Sequence, residues 1–282
     1  MAVRIVTDSA ADLTDAESDA LGVTVVPLSI RFGSEEFVDR KDLTPSQFYA
    51  KLAAASVLPE TAAPAPGAFA AAFQQAFDEG ADAVVCINIS SLLSATMASA
   101  QNAARGMPDA AISVVDSRSI TSGLGSQVKA AAAAAAGGAS AEDVVRLVEE
   151  MVPRTRVYGA LDTLENLKKG GRIGGAQAML GTLLSIKPII DISTGEVQQE
   201  AKPRTRTKAL QHLAQKVVEA GAVENLSVMH GDAPDVDQFL DLLAATHPRD
   251  EIHVGDIGAT IGVHGGPRVM GVTFQVPASR AG

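Results

Sequence analysis

Tryptophan, tyrosine and cysteine are scarce in this chain of 282 residues, which has no Trp, two Tyr and one Cys. The single Cys86 excludes a disulfide within the chain and fits a reducing compartment. Basic residues are outnumbered, since 23 Lys and Arg stand against 33 Asp and Glu, and the net charge is −10. We therefore expect no nucleic-acid partner, because such binding needs a basic face against the phosphates.

Long apolar segments are also missing. No run is long enough to span a bilayer, and the first residues lead into an expected strand without the charged and apolar segments of a secretion signal. The longest uniform run, residues 130–136, is alanine and ends at two glycines, which is typical of a helix that packs through small side chains. We expect a cytoplasmic protein with no transmembrane segment.

The signatures of several common enzymes are absent from the sequence. It has no Gly-x-Ser-x-Gly motif and no phosphate-binding loop that ends in Gly-Lys-Ser or Gly-Lys-Thr. The glycines of residues 170–175 lack dinucleotide-loop spacing, and the five histidines lack zinc-ligand spacing. None of these enzyme classes therefore has its signature in the sequence.

Strands and helices alternate in the first half of the chain. The apolar runs at residues 3–7, 83–89 and 110–115 have the pattern of buried strands, and a helical pattern follows each of them. Residues 23–31 are expected to form one further strand, and the proline-rich residues 58–67 no regular structure. This alternation predicts an α/β fold, with a mainly parallel sheet that carries helices on both faces.

The pattern changes near residue 155. A hairpin is expected over residues 187–203, a helix over residues 207–220 and a closing strand over residues 269–276. Hairpins mixed with helices favour an α+β domain with a mixed or antiparallel sheet. We therefore divide the chain into an N-terminal α/β domain, 1–155, and a C-terminal α+β domain, 156–282.

Residues 90–96 form a hydroxyl-rich turn between an expected strand and an expected helix. Unpaired backbone N–H groups and the positive end of the helix dipole make such a turn suitable for an anion. The same hydroxyls are typical helix caps, so this stretch alone leaves both interpretations open. Polar pairs at residues 8–9 and 116–117 also end strands, and ligands of parallel sheets bind at that edge.

A different interpretation starts from His230 and Asp232, which follow an expected strand. Together with Asp8, Asp116 and Asp256 they offer the ingredients of a metal-dependent phosphoester hydrolase or phosphotransferase. Alternatively, Asp232 caps the next helix and His230 is a partly buried polar residue.

Positive charge is concentrated in two segments, residues 168–172 and residues 202–208. Most such runs are solvated faces, but on an acidic chain a local basic patch also suits the docking of a partner or a phosphate. Composition does not decide between the two.

Five separated segments resemble the DegV family. They are residues 6–13, 61–66, 90–96, 164–174 and 261–267, which occur in the expected order and cover nearly the whole chain. The stretch Lys-Lys-Gly-Gly-Arg-Ile-Gly is the most specific of these motifs. The resemblance implies a two-domain fatty-acid-binding protein, for which we expect no catalytic residue, no metal and no cofactor. In some bacteria such proteins present the bound acid to a separate kinase subunit that makes an acyl phosphate.

The resemblance also implies the ligand-binding residues. By motif, the hydroxyls of Thr61 and Ser94 hold the carboxylate of a long-chain acid such as palmitate, stearate or oleate, and the tail occupies an apolar slot between the two domains. Ser91, Ala95 and Gly265 are expected beside them.

Further positions follow from the same motifs. His264 is implied as a second-layer contact behind the head group, and Arg172 as an arginine at the mouth of the site, facing the fatty acid kinase catalytic subunit. Arg204 and Arg206 belong to the second basic segment and are expected to help in docking this partner.

The sequence departs from the family pattern around the head group. Ala62 and Ala63 stand where the family usually has Ser-Gln, and Ala95 replaces a glycine. Gly265 replaces a threonine, and Arg268 replaces a glycine. We therefore expect a thinner polar surround for the carboxylate than in the family.

Overall fold

The computed structural model describes residues 2–180 and 186–278. The strands, in chain order, are β1 Val3–Asp8, β2 Val23–Val26, β3 Ser29–Phe32, β4 Glu35–Val38, β5 Glu60–Ala62, β6 Ala83–Asn88, β7 Ile112–Asp116, β8 Thr155–Ala160, β9 Ile189–Asp191, β10 Gln198–Ala201, β11 Glu224–His230, β12 His253–Asp256 and β13 Met270–Gln275.

The α-helices are α1 Asp15–Leu21, α2 Pro45–Ala54, α3 Pro66–Asp78, α4 Thr96–Arg105, α5 Thr121–Ala136, α6 Ala141–Met151, α7 Glu165–Lys169, α8 Arg206–Ala220, α9 Val236–Leu243 and α10 Ala259–Gly265. In the described ranges, no helix is both long enough and apolar enough to cross a membrane.

The N-terminal sheet has the strand order β2-β1-β6-β7, and its paired strands run parallel. Every residue of β6 is buried, because helices cover the sheet on both sides. One apolar cluster joins β1 and β6 to α3 and α4, and another joins them to α5 and α6. The expected parallel sheet with helices on both faces is confirmed.

The C-terminal sheet has the order β10-β9-β8-β13-β11-β12 and is mixed. Its pairs are antiparallel except for β11 and β12, which run parallel. The expected hairpin is present as β9 and β10. The sequence analysis had not identified β8, which lies inside this sheet.

The two faces of the C-terminal sheet have different neighbours. Tyr158, Val272 and Phe274 pack in the cluster that also contains the apolar side chains of α8 and α9. Val157 and Met229, which point the other way, belong to the large cluster that also contains residues of the N-terminal sheet. The two sheets therefore share one continuous core.

Two expectations about the first part of the chain were wrong. Residues 23–31 are not one strand, because the chain leaves the N-terminal sheet at Pro27, which has no N–H group for a ladder. It then enters a small antiparallel sheet of order β4-β3-β5. The proline-rich residues 58–67 contain β5, whose Thr61 pairs with Ile30. The prolines flank β5 rather than interrupt it.

Two helices of the N-terminal half, α1 and α2, begin at a local start signal. Thr14 and Thr44 each form a capping box with the residue three positions later. The glycine-rich loop after α7 is followed by the 3-10 helix Gly174–Met179. The proposed domain boundary coincides with the start of β8, and the division into two domains stays a prediction.

Candidate functional site

An apolar cavity lies between the turn after β6 and the inner face of the C-terminal sheet. It encloses about 850 Å³ of space free of protein atoms, part of which is open to solvent. Its apolar wall includes Ile89, Leu93, Ile120, Val157, Ile190 and Met229.

Polar side chains from separate segments meet on the wall of this cavity. Thr61 comes from β5, Ser94 from the turn before α4, Arg172 from the glycine-rich loop after α7, and His264 from α10. Gly265 lines the same cavity. The structure therefore brings together five of the residues that the family motifs implied.

Thr61 and His264 form a hydrogen bond, with 3.1 Å between Thr61 Oγ1 and His264 Nε2. Burial, together with the positive charge of Arg172, lowers the pKa of the His264 imidazole to about 4. The ring is therefore neutral near pH 7 and offers one donor and one acceptor nitrogen. Its Nδ1 atom is buried without a hydrogen-bond partner in the described part of the chain.

The helix that carries His264 is fixed to the N-terminal half of the chain. The N–H of Gly258, just before α10, donates to Asp12 Oδ1 over 2.9 Å, and the Tyr49 hydroxyl donates to the carbonyl of Ile257 over 3.1 Å. The Thr260 hydroxyl donates to the buried Asp39. These contacts hold α10 against the small sheet that carries Thr61.

Asp12 is itself a buried group. Desolvation raises the pKa of its carboxyl to about 6, although Arg40, 2.7 Å away, favours the ionised form. Such a pair is worth little as a net source of stability, but it fixes the geometry around the start of α10.

Ser94 both caps a helix and lines the cavity. Its Oγ atom accepts a hydrogen bond from the N–H of Thr96 at 3.2 Å and lies 2.8 Å from Thr96 Oγ1. Ala95, the N-cap residue of α4, makes no side-chain cap bond, so Ser94 supplies the local acceptor. The two interpretations of this turn are therefore compatible.

Ser91 has a different role from Ser94. Its N–H and hydroxyl both donate to the Asp116 carboxylate, at 3.2 and 2.5 Å, and it does not line the apolar cavity. Ser91 and Ala95 instead line a shallow depression beside the mouth, together with Arg172. We therefore leave Ser91 out of the proposed carboxylate contacts.

The other polar residues at strand ends hold the turn in place. Asp8 Oδ2 accepts hydrogen bonds from the N–H of Ile89 at 2.8 Å and from Asn88 Nδ2 at 3.1 Å. Complete burial raises the pKa of Asp8 to about 6. Since Ile89 lines the cavity, Asp8 acts on the site through the backbone of this turn.

Arg172 is the one charged side chain among the described residues that line the cavity, since His264 is neutral. Its Nη1 donates to the carbonyl of Gly170 over 2.7 Å and its Nε to that of Leu93 over 3.2 Å. The guanidinium is exposed at the mouth and held by backbone carbonyls.

The second basic segment lies elsewhere. Arg206 begins α8 and forms two hydrogen bonds with the Asp235 carboxylate, at 2.8 and 3.0 Å. Because α8 packs on the sheet face opposite the cavity, neither Arg206 nor the exposed Arg204 contributes to the cavity wall. The basic patch expected from the sequence is therefore divided between two places.

The alternative site around His230 does not assemble. Its Nδ1 accepts a 3.4 Å hydrogen bond from Ala233, and its Nε2 lies 3.7 Å from Asp256. The prediction that Asp232 caps the next helix was wrong, because α9 starts at Val236 with Asp235 as its N-cap. No three His, Cys, Asp or Glu side chains within residues 2–180 and 186–278 are grouped to hold a metal ion.

Of the five departures from the family pattern, Gly265 lines the cavity and the other four lie outside its wall. Ala62 pairs with Ser29 in the small sheet, and neither Ala62 nor Ala63 lines the cavity. Arg268 lies outside the cavity wall, with its Nε 3.7 Å from Asp162.

Several lining residues had no signal in the sequence analysis. Thr121, Thr260 and Thr273 place hydroxyl-bearing side chains on the cavity wall, and Gly159 and Gly271 contribute bare backbone. Every second side chain of a strand faces the same side of the sheet. If β8 had been predicted, this alternation along β8 and β13 would have placed Gly159 and Thr273 on the face that lines the cavity.

Comparison with known proteins places this fold and cavity in context. Residues 2–276 match the family described as "Uncharacterised protein, DegV family". A "DegV domain-containing protein" of Deinococcus radiodurans is 37% identical, over 98% of this chain and 99% of that protein.

Solved structures show the same fold. A DegV family protein from Thermus thermophilus, described as fatty acid binding, superposes with a TM-score of 0.90 at 33% identity, over 98% of this chain and 100% of that one. A stearic-acid-binding protein from Eubacterium ventriosum gives a TM-score of 0.87 at 27% identity, with 98% and 99% of the two chains covered. The protein is a member of the DegV family.

Proposed function

We propose that the protein is a cytoplasmic carrier of a long-chain fatty acid such as palmitate, stearate or oleate. The carboxylate is held by Thr61 and Ser94, and the tail fills the apolar cavity. The observation that carries this proposal is the composition of the cavity wall, which is mostly apolar and to which separate segments bring the Thr61 and Ser94 hydroxyls, an imidazole and a guanidinium. The fatty acid binding of the Thermus thermophilus and Eubacterium ventriosum proteins supports it.

Both hydroxyls are oriented by a group behind them. When the neutral His264 ring carries its proton on Nε2, it donates to Thr61 Oγ1, and the Thr61 proton is free to point at the carboxylate. Ser94 Oγ accepts from the Thr96 N–H, and when it also accepts from the Thr96 hydroxyl, its own proton is free. Each hydroxyl thus gives one charge-assisted hydrogen bond to the ligand.

The tail supplies most of the affinity. Each buried methylene contributes roughly 0.8 kcal/mol, so a palmitate tail contributes on the order of 10 kcal/mol as an upper limit. A hydrogen bond to a charged head group contributes about 1.5–3 kcal/mol. The hydroxyls therefore fix which end of the ligand faces the mouth, and Arg172 offsets the charge of the carboxylate. This role needs no nucleophile, general base or metal.

We further propose that Arg172 faces a separate fatty acid kinase catalytic subunit. Arg172 lies at the mouth, is exposed, and is held by two backbone carbonyls, which suits a charged contact with a partner. Arg206 is less suited to that role because Asp235 already neutralises it. Arg204 remains exposed, but on a segment away from the mouth.

The first prediction concerns the ligand itself. Gentle purification followed by denaturing extraction and mass spectrometry should recover a long-chain fatty acid. Adding palmitate to the delipidated protein should raise its melting temperature, because a ligand that binds the folded state stabilises it. If no fatty acid is recovered and palmitate leaves the melting temperature unchanged, the protein is not a fatty acid carrier.

Removing the hydroxyl of Ser94 should weaken carboxylate binding selectively. Ser94→Ala is expected to lower the affinity for palmitate by roughly tenfold, as one charge-assisted hydrogen bond is lost, and to lower the affinity for hexadecanol less. The matched control is Ser91→Ala on the same turn, whose hydroxyl bonds Asp116. Isothermal titration with both ligands measures this. Equal losses for acid and alcohol would remove Ser94 from the head group.

The buried histidine predicts a pH dependence of stability. The pKa of His264 falls from 6.5 to about 4 on folding. At a pH between these two values, the unfolded chain therefore binds a proton at His264 and the folded chain does not. The stabilising contribution of the neutral ring is therefore present above pH 6.5 and lost as the pH falls towards 4. Asp8 and Asp12 titrate in the same range. Their contributions cancel when the wild type is compared with a variant that differs only at residue 264.

Denaturant unfolding of the wild type and His264→Gln from pH 7.5 to 4 measures this effect. The difference in unfolding free energy between the two should shift against the wild type by on the order of 3 kcal/mol as the pH falls. Parallel profiles would contradict a buried neutral ring.

Charge reversal at the mouth tests the kinase contact. With palmitate-loaded carrier, ATP and a fatty acid kinase catalytic subunit, Arg172→Glu should raise the carrier concentration for half-maximal acyl-phosphate formation by roughly tenfold. Arg105→Glu, at the other end of α4, is the control because that arginine is also exposed. If Arg172→Glu behaves like the control, the docking proposal is wrong.

A further inference from the structure

Two glycines meet on the inner face of the C-terminal sheet. Gly159 of β8 is paired with Gly271 of β13, and both line the cavity. The adjacent pair, Tyr158 and Val272, packs among the residues on the opposite face. Since side chains alternate along a strand, any side chain at 159 or 271 would project into the cavity.

The fold itself does not require glycine at either position. Neither residue has a positive φ. A Cβ atom at 159 would lie 3.5 Å from Ile190 Cγ1, and one at 271 would lie 3.5 Å from the Met229 carbonyl oxygen, which are ordinary contacts. Glycine inside a strand destabilises it relative to alanine and often marks a place where a ligand approaches the backbone.

Other buried glycines of the chain differ in this respect. A Cβ at Gly123 would come within 2.1 Å of Ser119 Oγ, and one at Gly262 within 2.6 Å of Phe48 Cε1. Those glycines serve close packing between protein segments. At 159 and 271, the absence of a side chain leaves open space over the face of the sheet that lines the cavity.

The pair lies beside the tail rather than the head group. A Cβ at Gly265, next to His264, would touch Val269, and Gly271 lies two residues further along the chain. A strand rises about 3.3 Å per residue, so Gly271 lies roughly 7 Å from Val269. The step leads towards the next cavity-facing pair, Val157 and Thr273.

We infer that the Gly159–Gly271 pair determines which acyl tails the protein accepts. This inference rests on the proposed function. The preferred ligands are fatty acids whose tail has a cis double bond or a methyl branch, because such tails are broader than a straight saturated chain. A straight tail does not need two adjacent side chains removed from the wall. The sheet gives up strand stability to keep this width.

The test compares palmitate with palmitoleate, which has the same length and one cis double bond. Gly159→Ala, Gly271→Ala and the double variant are titrated with both acids after delipidation. The wild type should bind palmitoleate at least as tightly as palmitate. The double variant should lose roughly tenfold in affinity for palmitoleate and no more than about threefold for palmitate, because added methyls overpack a channel that holds the broader tail.

Thermal unfolding of the ligand-free variants gives a second readout. Their melting temperatures should equal or exceed that of the wild type, since alanine suits a strand interior better than glycine. The control is Ala160→Gly on the same strand, whose side chain packs on the opposite face. It should lower the melting temperature and leave the palmitoleate-to-palmitate ratio unchanged.

The outcomes separate this inference from the proposed function. If the wild type binds both acids and the double variant keeps the wild-type ratio, the inference is wrong while the carrier function stands. If the ligand-free variants unfold or melt well below the wild type, the glycines serve packing and the inference is also wrong. If the wild type binds neither acid, the carrier function fails and the inference falls with it.

Discussion

The site depends on one hydrogen bond between residues that are 203 positions apart, Thr61 and His264. Burial keeps the His264 ring neutral by lowering its pKa, so the ring can donate to Thr61 without carrying a charge. The bond exists because Asp12 and Asp39 hold the start of α10 against the N-terminal half of the chain. The polar end of the cavity is thus a product of long-range packing.

The C-terminal sheet supplies the other half of the site. One face is covered by α8 and α9, and the other faces the cavity and the shared core. The two-residue alternation of β8 and β13 separates Tyr158 and Val272, which fill the helix-covered face, from Gly159 and Gly271, which leave room on the other. A single sheet therefore combines a close-packed face with an open cavity wall, against which we propose that the ligand tail packs.

Local signals predicted much of the fold, while tertiary contacts decided the rest. The buried strands around the N-terminal sheet and the capping boxes are recorded in short sequence patterns. β5 has only three residues and is stabilised by pairing with β3, which no local pattern shows. Ser91 and Ser94 lie on one turn, and from the sequence both of them have the same expected role. The structure distinguishes them, because the Ser91 hydroxyl donates to Asp116 instead of lining the cavity. Sequence spacing could not place Thr61 beside His264. Only the family motifs indicated that these two residues belong to the same site.

In the proposed binding mode, the ligand lies with its carboxylate at the hydroxyls and its tail over the sheet. A crystal structure of the protein after delipidation and saturation with palmitate tests this most directly. We predict one carboxylate oxygen within hydrogen-bond distance of Thr61 Oγ1, the other within reach of Ser94 Oγ, and continuous tail density passing Gly159 and Gly271. A palmitate bound in the reverse direction, or outside this cavity, would contradict the account.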